Sequence, residues 1–199
     1  MFNEVLVGVQ NNSDGVVVKS RGGKQGDQLV SGLHGEKYEQ SMRGNMYGLN
    51  GALTTTTAAG AATFTGLILG NPVGSGINVA VHEVRASQGA ALTAATMIGV
   101  MYGPNTTTTS LTTIVNRNPL GPASKCVANA GQTITAMTSF IVFGGSGSGA
   151  ITVPLVIQSV GYDFKGGLII PPGYAMASYT SLASTTALLF TFNWEEIPV

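Results

Sequence analysis

From Leu53 to the end of the chain, every β-branched or aromatic run is short and is cut by Gly, Pro, Asn or Ser. This punctuation constrains the fold more than anything else in the sequence. Thr63 to Leu69 runs into the turn Asn71-Pro72-Val73-Gly74-Ser75-Gly76. Ile77, Val79, Val81 and Glu83 then alternate with Asn78, Ala80, His82 and Val84, a period-two pattern that becomes mixed at its end. Further strands are predicted over Met97–Tyr102, Leu111–Val115, Ile134–Phe143 and Ile151–Ile157. The run from Gly166 to Ile170 reads as a strand that ends in the tight turn Pro171-Pro172-Gly173, and Tyr174–Thr180 and Ala187–Trp194 complete the set. Gly144 to Gly149 reads as a flexible connection. No stretch holds a convincing amphipathic helix repeat; Ala86 to Thr96 comes nearest and contains Gly89. Roughly eight to ten short strands separated by turns predict an all-β sandwich or jelly roll.

Charge divides the chain. Ten charged residues, from Glu4 to Arg43, crowd the first segment, whereas Gly44 to Asn193 holds only Glu83, Arg85, Arg117, Lys125, Asp163 and Lys165. Residues 1–48 are therefore expected to form an extended N-terminal arm and 49–199 the β domain. Closely spaced glycines deny the arm a long regular element; Val16–Val18 suits a short strand, and Tyr38–Met42 one helical turn or another strand. Leu29, Val30, Leu33, Tyr38, Met42 and Met46 give it apolar anchors that favour ordering on a partner over a solvated tail.

Asp, Glu, Lys and Arg make up 9% of the 199 residues and cancel to a formal net charge of zero. Such a surface has little repulsion to hold copies apart, which suggests burial against other subunits. The same balance argues against nucleic-acid binding, which needs surplus cations. No apolar run is long enough for a transmembrane helix, and Met1-Phe2-Asn3-Glu4 has neither a basic nor an apolar signal region. The single Cys126 excludes an intrachain disulfide and reads as a small buried residue.

Catalytic chemistry finds little purchase. His34 lies in the arm, and His82 falls on the polar side of a strand, where a solvated or interface role is favoured over that of a base. No G-x-S-x-G elbow, P-loop or dinucleotide fingerprint occurs. Glu195 and Glu196 are adjacent, so an extended chain points them to opposite faces and not at one substrate. No enzyme activity, metal or cofactor is expected. Trp194 follows Phe190 and Phe192 at alternate positions and is read as a core plug in preference to a carbohydrate-stacking platform.

Three stretches resemble a family of virion proteins of tailed bacteriophages. They are the arm from Gly26 to Glu39 with Arg43-Gly44, the Asn71–Gly76 turn, and the C-terminal Gly167–Tyr174 and Phe192–Pro198. The Pro-Pro-Gly turn also resembles that of trimeric jelly rolls of the tumour-necrosis-factor and C1q type. The resemblance implies a homotrimer on the outer capsid surface, a decoration or cement protein whose partner is the major capsid protein or another virion protein. The alternative is the receptor-binding head of a fibre or spike. Leu29, Leu33, Tyr38, Arg43 and Trp194 are the candidate assembly residues.

Overall fold

The computed structural model describes residues 37–51, 63–88, 94–104, 112–135, 137, 139–146, 159–183 and 188–199. Leu29, Leu33, His34, Val16–Val18 and the strand expected over Ile151–Ile157 lie outside them. The chain divides into two units, Met1–Glu39 and Gln40–Val199. The second unit carries every strand among the described residues.

After a short helix α1 (Tyr38–Met42), the elements are strands: β1 (Met46–Asn50), β2 (Thr63–Asn71), β3 (Ile77–Gln88), β4 (Thr96–Pro104), β5 (Ile114–Asn116), β6 (Val127–Thr135), β7 (Ser139–Ser146), β8 (Ser159–Ile170), β9 (Tyr174–Thr180) and β10 (Leu188–Pro198). They form two five-stranded sheets, ordered β5-β1-β10-β3-β8 and β6-β2-β9-β4-β7. Each described strand pair is antiparallel. The all-β sandwich expected from the punctuation is therefore what forms. With β5 and β6 set aside, β1 pairs with β10, β2 with β9, β3 with β8 and β4 with β7. The chain thus folds back on itself as one long hairpin whose two arms alternate between sheets, which is the jelly-roll arrangement.

Alternation along β10 shows why these residues make a sandwich. Leu188, Phe190, Phe192 and Trp194 are fully buried, while Leu189, Thr191, Asn193 and Glu195 face outward. They meet Leu49, Val79, Val81 and Val84 of their own sheet's inner face and Leu67, Leu69, Ile98, Val100 and Met176 of the other. Burying one such aromatic side chain is worth about 2–3 kcal/mol. Trp194 stacks on Tyr47, with ring centroids 5.9 Å apart.

Both predicted turns carry the chain from one sheet to the other. In Pro171-Pro172-Gly173-Tyr174, the Tyr174 amide donates to the Pro171 carbonyl at 3.1 Å and Gly173 has φ 85°. Proline second and a positive-φ glycine third are what a type II turn requires. Asn71 joins this corner to the one from β2 to β3. Its Nδ2 donates to the Ile77 and Ile170 carbonyls at 2.9 and 3.0 Å, and its Oδ1 accepts from Ser75 Oγ at 2.6 Å. A fully buried amide satisfied on both sides holds the two corners together.

Several expectations need correction. The boundary at 48/49 falls inside β1, which pairs with β10 and β5. Tyr47 points into the core beside Leu49, so the sandwich claims Met46, Tyr47 and Gly48 from the expected arm. The strand expected over Ile134–Phe143 is two strands, β6 ending at Thr135 and β7 starting at Ser139, and Met137 packs with Met101 and against Gly103. Gly144-Gly145-Ser146 is not linker but the end of β7, paired with Ile98, Met97 and Thr96. Residues 147–149 lie outside the described set. In β3 the alternation breaks at a bulge: Asn193 opposes Glu83 but Trp194 opposes Val81, which leaves His82 as the extra residue. The phase then inverts, so that Val84 and Ala86 are buried and Glu83 faces outward, opposite to the strict period-two reading.

Candidate assembly site

The short helix leading into the sandwich ends by a defined mechanism. The Gly44 amide donates to the Ser41 carbonyl and the Asn45 amide to the Gln40 carbonyl, each at 3.0 Å, with Gly44 at φ 76°. This is the paired pattern of a Schellman cap, with Arg43 as the last half-helical residue and glycine in the left-handed position. Two helix-end carbonyls remain to be satisfied, as at any helix C-terminus.

The loop Asn116-Arg117-Asn118-Pro119-Leu120-Gly121-Pro122, between β5 and β6, supplies a partner for the Met42 carbonyl and another for that of Gly44 just beyond the cap. Each asparagine stabilises its own turn through Oδ1, Asn116 accepting from the Asn118 amide at 2.8 Å and Asn118 from the Leu120 amide at 3.1 Å. That leaves both amide nitrogens aimed at the helix end. Asn118 Nδ2 donates to the Met42 carbonyl at 3.0 Å, and Asn116 Nδ2 to the Gly44 and Pro122 carbonyls at 2.8 Å. The Arg117 amide donates to the Met46 carbonyl at 2.8 Å and the Glu196 amide to that of Asn45 at 2.9 Å. Five hydrogen bonds from the loop and β10 thus pin residues 42–46 or the loop itself. Pro122 also packs directly over Gly44, where a Cβ would lie 2.7 Å from the proline Cδ.

From this clamp a polar ladder crosses the outer face of the first sheet. The Arg117 guanidinium lies over Gly48 and donates to Asn193 Oδ1. Asn193 Nδ2 donates to Glu83 Oε2 at 3.0 Å, and Arg85 Nε to Glu83 Oε1 at 2.6 Å. Beside it, His82 Nε2 and Glu195 Oε2 lie 3.3 Å apart. The β3 bulge makes this possible by putting His82 and Glu83, consecutive residues, within reach of outward-facing partners on β10.

Beneath the clamp is an open cleft of about 530 Å3, walled by Thr112, Thr113, Ile114, Asn116, Pro122, Ser124 and Cys126. Glu196 points inward next to it, accepting from Ser124 Oγ and the Lys125 amide. Glu195 and Glu196 thus serve opposite faces of β10. Burial, and then the neighbouring Glu196, push the Cys126 thiol well above its usual range, so it stays protonated and is a poor nucleophile. Burial likewise raises Tyr47, with Glu196 and Cys126 adding to the effect; its hydroxyl donates to the Pro122 carbonyl at 3.4 Å. Among the described residues no three His, Cys, Asp or Glu side chains converge on a metal-sized site.

Three of the five sequence-predicted assembly residues lie among the described residues. Tyr38 and Arg43 are exposed on α1 and at its cap. Trp194 is fully buried and offers no surface to a partner. Leu29 and Leu33 are outside the described residues. Sequence reasoning passed over Asn116 and Asn118, and weighed Glu196 only beside Glu195. An N-x-N-P-x-G-P run signals a loop with Asx turns, but its contact with the helix end spans more than seventy residues.

No protein-family model matches this chain, and no curated protein matches it either.

Proposed function

We propose that this chain is a non-enzymatic structural protein of a tailed-bacteriophage virion, a decoration or cement protein that trimerises on the outer surface of the head. It holds to the capsid protein or another virion protein through its N-terminal arm. One observation carries the reading: the root of the arm is seated on the sandwich by the Asn116–Pro122 clamp. A tether that transmits load needs a fixed root, and hydrogen-bonded helix-end carbonyls with a glycine under a proline ring provide one. The zero net charge and sparse charged surface suit a protein surrounded by copies of itself, and the jelly roll agrees with the resemblance in the arm and C-terminal motifs.

The test is removal of residues 1–36, which leaves α1, its cap and β1 in place. The truncated chain should keep its β-sheet circular dichroism and its oligomeric state, yet fail to rebind particles stripped of the native protein. The pair Asn116→Ala and Asn118→Ala, in the full chain, should weaken rebinding by loosening the root. A truncated chain that rebinds like the full one would overturn the anchoring role.

A second reading, the receptor-binding head of a fibre or spike, is favoured by the cleft, whose Thr112, Thr113, Ser124 and Asn116 offer the hydroxyl and amide groups that a glycan uses. Copy number on the particle separates the two, since a cement protein covers the shell and a fibre head does not.

A further inference from the structure

Among the described residues, β5 and β8 form the outer edges of one sheet and β6 and β7 those of the other. Three of these edge strands carry extra residues. While β3 advances from Val81 to Glu83, β8 runs from Leu168 back to Asp163. While β2 advances from Gly66 to Ile68, β6 runs from Gln132 to Asn129, and β7 passes from Gly144 to Val142 against Ile98 and Gly99 of β4. Bulges of this kind bend an edge and blunt it against further strands. The register of β5 with β1 is unbroken, from Asn116 opposite Tyr47 to Ile114 opposite Leu49.

Hydrogen bonds fix which way β5 turns its backbone. The Arg117 amide donates to the Met46 carbonyl, the Glu196 amide to that of Asn45 and the Gly51 amide to that of Phe190. Bonded pairs alternate along an antiparallel ladder, so Met46 and Gly48 face β5 while Tyr47 and Leu49 face β10. Val115 and Arg117 therefore serve β1, and the backbone groups of Ile114 point the other way. Thr112, in the same phase, shows that direction: its amide donates to the Ala128 carbonyl at 3.1 Å. The stretches 112–116 and 122–128 are joined there and again by Asn116 Nδ2 on the Pro122 carbonyl. Between the two joints they part, and the cleft of about 530 Å3 lies in the gap, with Ile114 in its wall. Neither the amide nor the carbonyl of Ile114 has a hydrogen-bond partner among the described residues.

We propose that this cleft is a strand-addition site, in which an extended, uncharged peptide segment of a partner protein pairs with the Ile114 backbone as a further strand on β5. In this mode main-chain hydrogen bonds supply the affinity and the flanking side chains the selectivity. The three residues of β5 set the length of the match, roughly 10 Å of extended chain. Thr112, Thr113 and Ser124 offer hydroxyls to its side chains, and no charged residue lines the cleft. A second copy has no straight edge to insert, since its β6, β7 and β8 carry the same extra residues and its β5 lies in a cleft of its own. The site belongs to the sandwich and does not depend on how the arm attaches.

The experiment is amide hydrogen exchange, followed by NMR on the full chain. Without added peptide, the Ile114 amide should exchange at least tenfold faster than those of Val115 and Arg117. The probe is a capped hexapeptide of alternating threonine and valine, whose β-branched residues favour the extended form. At saturation it should slow Ile114 exchange at least tenfold and bring its α protons into contact with those of β5. The same peptide N-methylated at every residue keeps its side chains but loses its donors, and should leave the exchange unchanged. Ala123→Trp fills the cleft from an exposed position and should abolish the protection without altering the circular dichroism. An Ile114 amide already protected without probe would show that the chain closes its own edge, and would overturn the proposal. So would an Ile114 amide unmoved by millimolar probe, or equal protection by the methylated peptide. Protection by a neutral oligosaccharide but not by the peptide would also overturn it, and would return the cleft to the fibre-head reading.

Discussion

Replacing Gly44 by alanine tests the clamp, because two separable costs coincide at this residue. The first is local: Gly44 sits at φ 76°, a left-handed conformation that costs a residue with a Cβ about 1–2 kcal/mol. The second is tertiary, since the added methyl would lie 2.7 Å from Pro122 Cδ and 3.1 Å from the Gly121 Cα. Forcing an extra carbon into a packed contact of this kind costs about 1–3 kcal/mol. Together the substitution should destabilise the sandwich by roughly 2–5 kcal/mol. Gly74 is the internal control: its φ of 79° is nearly the same, but a Cβ there would meet open space. Gly74→Ala should therefore cost only the local term, about 1–2 kcal/mol. The gain from restricting the unfolded chain applies to both variants and cancels in the comparison. Urea unfolding of the two variants at equal protein concentration, with unchanged m-values, measures the difference, predicted at about 1–3 kcal/mol. Pro122→Ala in the Gly44→Ala background removes the clashing ring carbon and should recover part of that difference, a coupling that a double-mutant cycle reads directly. Equal costs at Gly44 and Gly74, with no coupling to Pro122, would show that the loop does not grip the helix end and would refute the seated-root argument.

Trp194→Ala should destabilise the domain by about 3–5 kcal/mol in the same assay, the usual cost of emptying a large aromatic site. Trp194→Phe should cost much less, because Nε1 is buried without a hydrogen-bond partner and nothing polar is lost with it. Cys126 should resist thiol reagents in the folded protein and react on unfolding. Its folded pKa lies above the ordinary 9.0, so the fold keeps a proton that the unfolded chain releases. The stability linked to it is intact below pH 9.0 and falls as pH rises from there towards the raised value; Cys126→Ala should flatten that alkaline decline in a pH series of urea midpoints. Lys165 holds φ 51° at the excursion of β8 opposite His82, so Lys165→Gly should raise stability by up to about 1 kcal/mol, and a clear loss would show that its side chain contributes more than its backbone strain costs.

What the sequence by itself determined is everything that short-range chemistry encodes. Alternation puts Phe190, Phe192 and Trp194 on one face and Glu195 on the other, whatever strand they pair with, because successive side chains of an extended chain point in opposite directions. Pro171-Pro172-Gly173 makes its turn because proline fixes one φ and glycine permits the next. The all-β class and the burial of Cys126 follow from signals of this kind. Whether Tyr38–Met42 forms a helical turn or a strand does not. The tertiary structure alone decided which residues joined which unit. Met46–Asn50 carries no strong strand signal and lies beside a charged segment, yet becomes an inner strand because β10 offers an unpaired edge that β1 completes. The bulge at His82 was equally out of reach. It arises from pairing with β8 and β10 at once, and it reverses which of Glu83 and Val84 is buried. The clamp depends on the same kind of information. Asn116 and Asn118 announce a turn in sequence, but only the folded sandwich brings them to the Met42 and Gly44 carbonyls, more than seventy residues away.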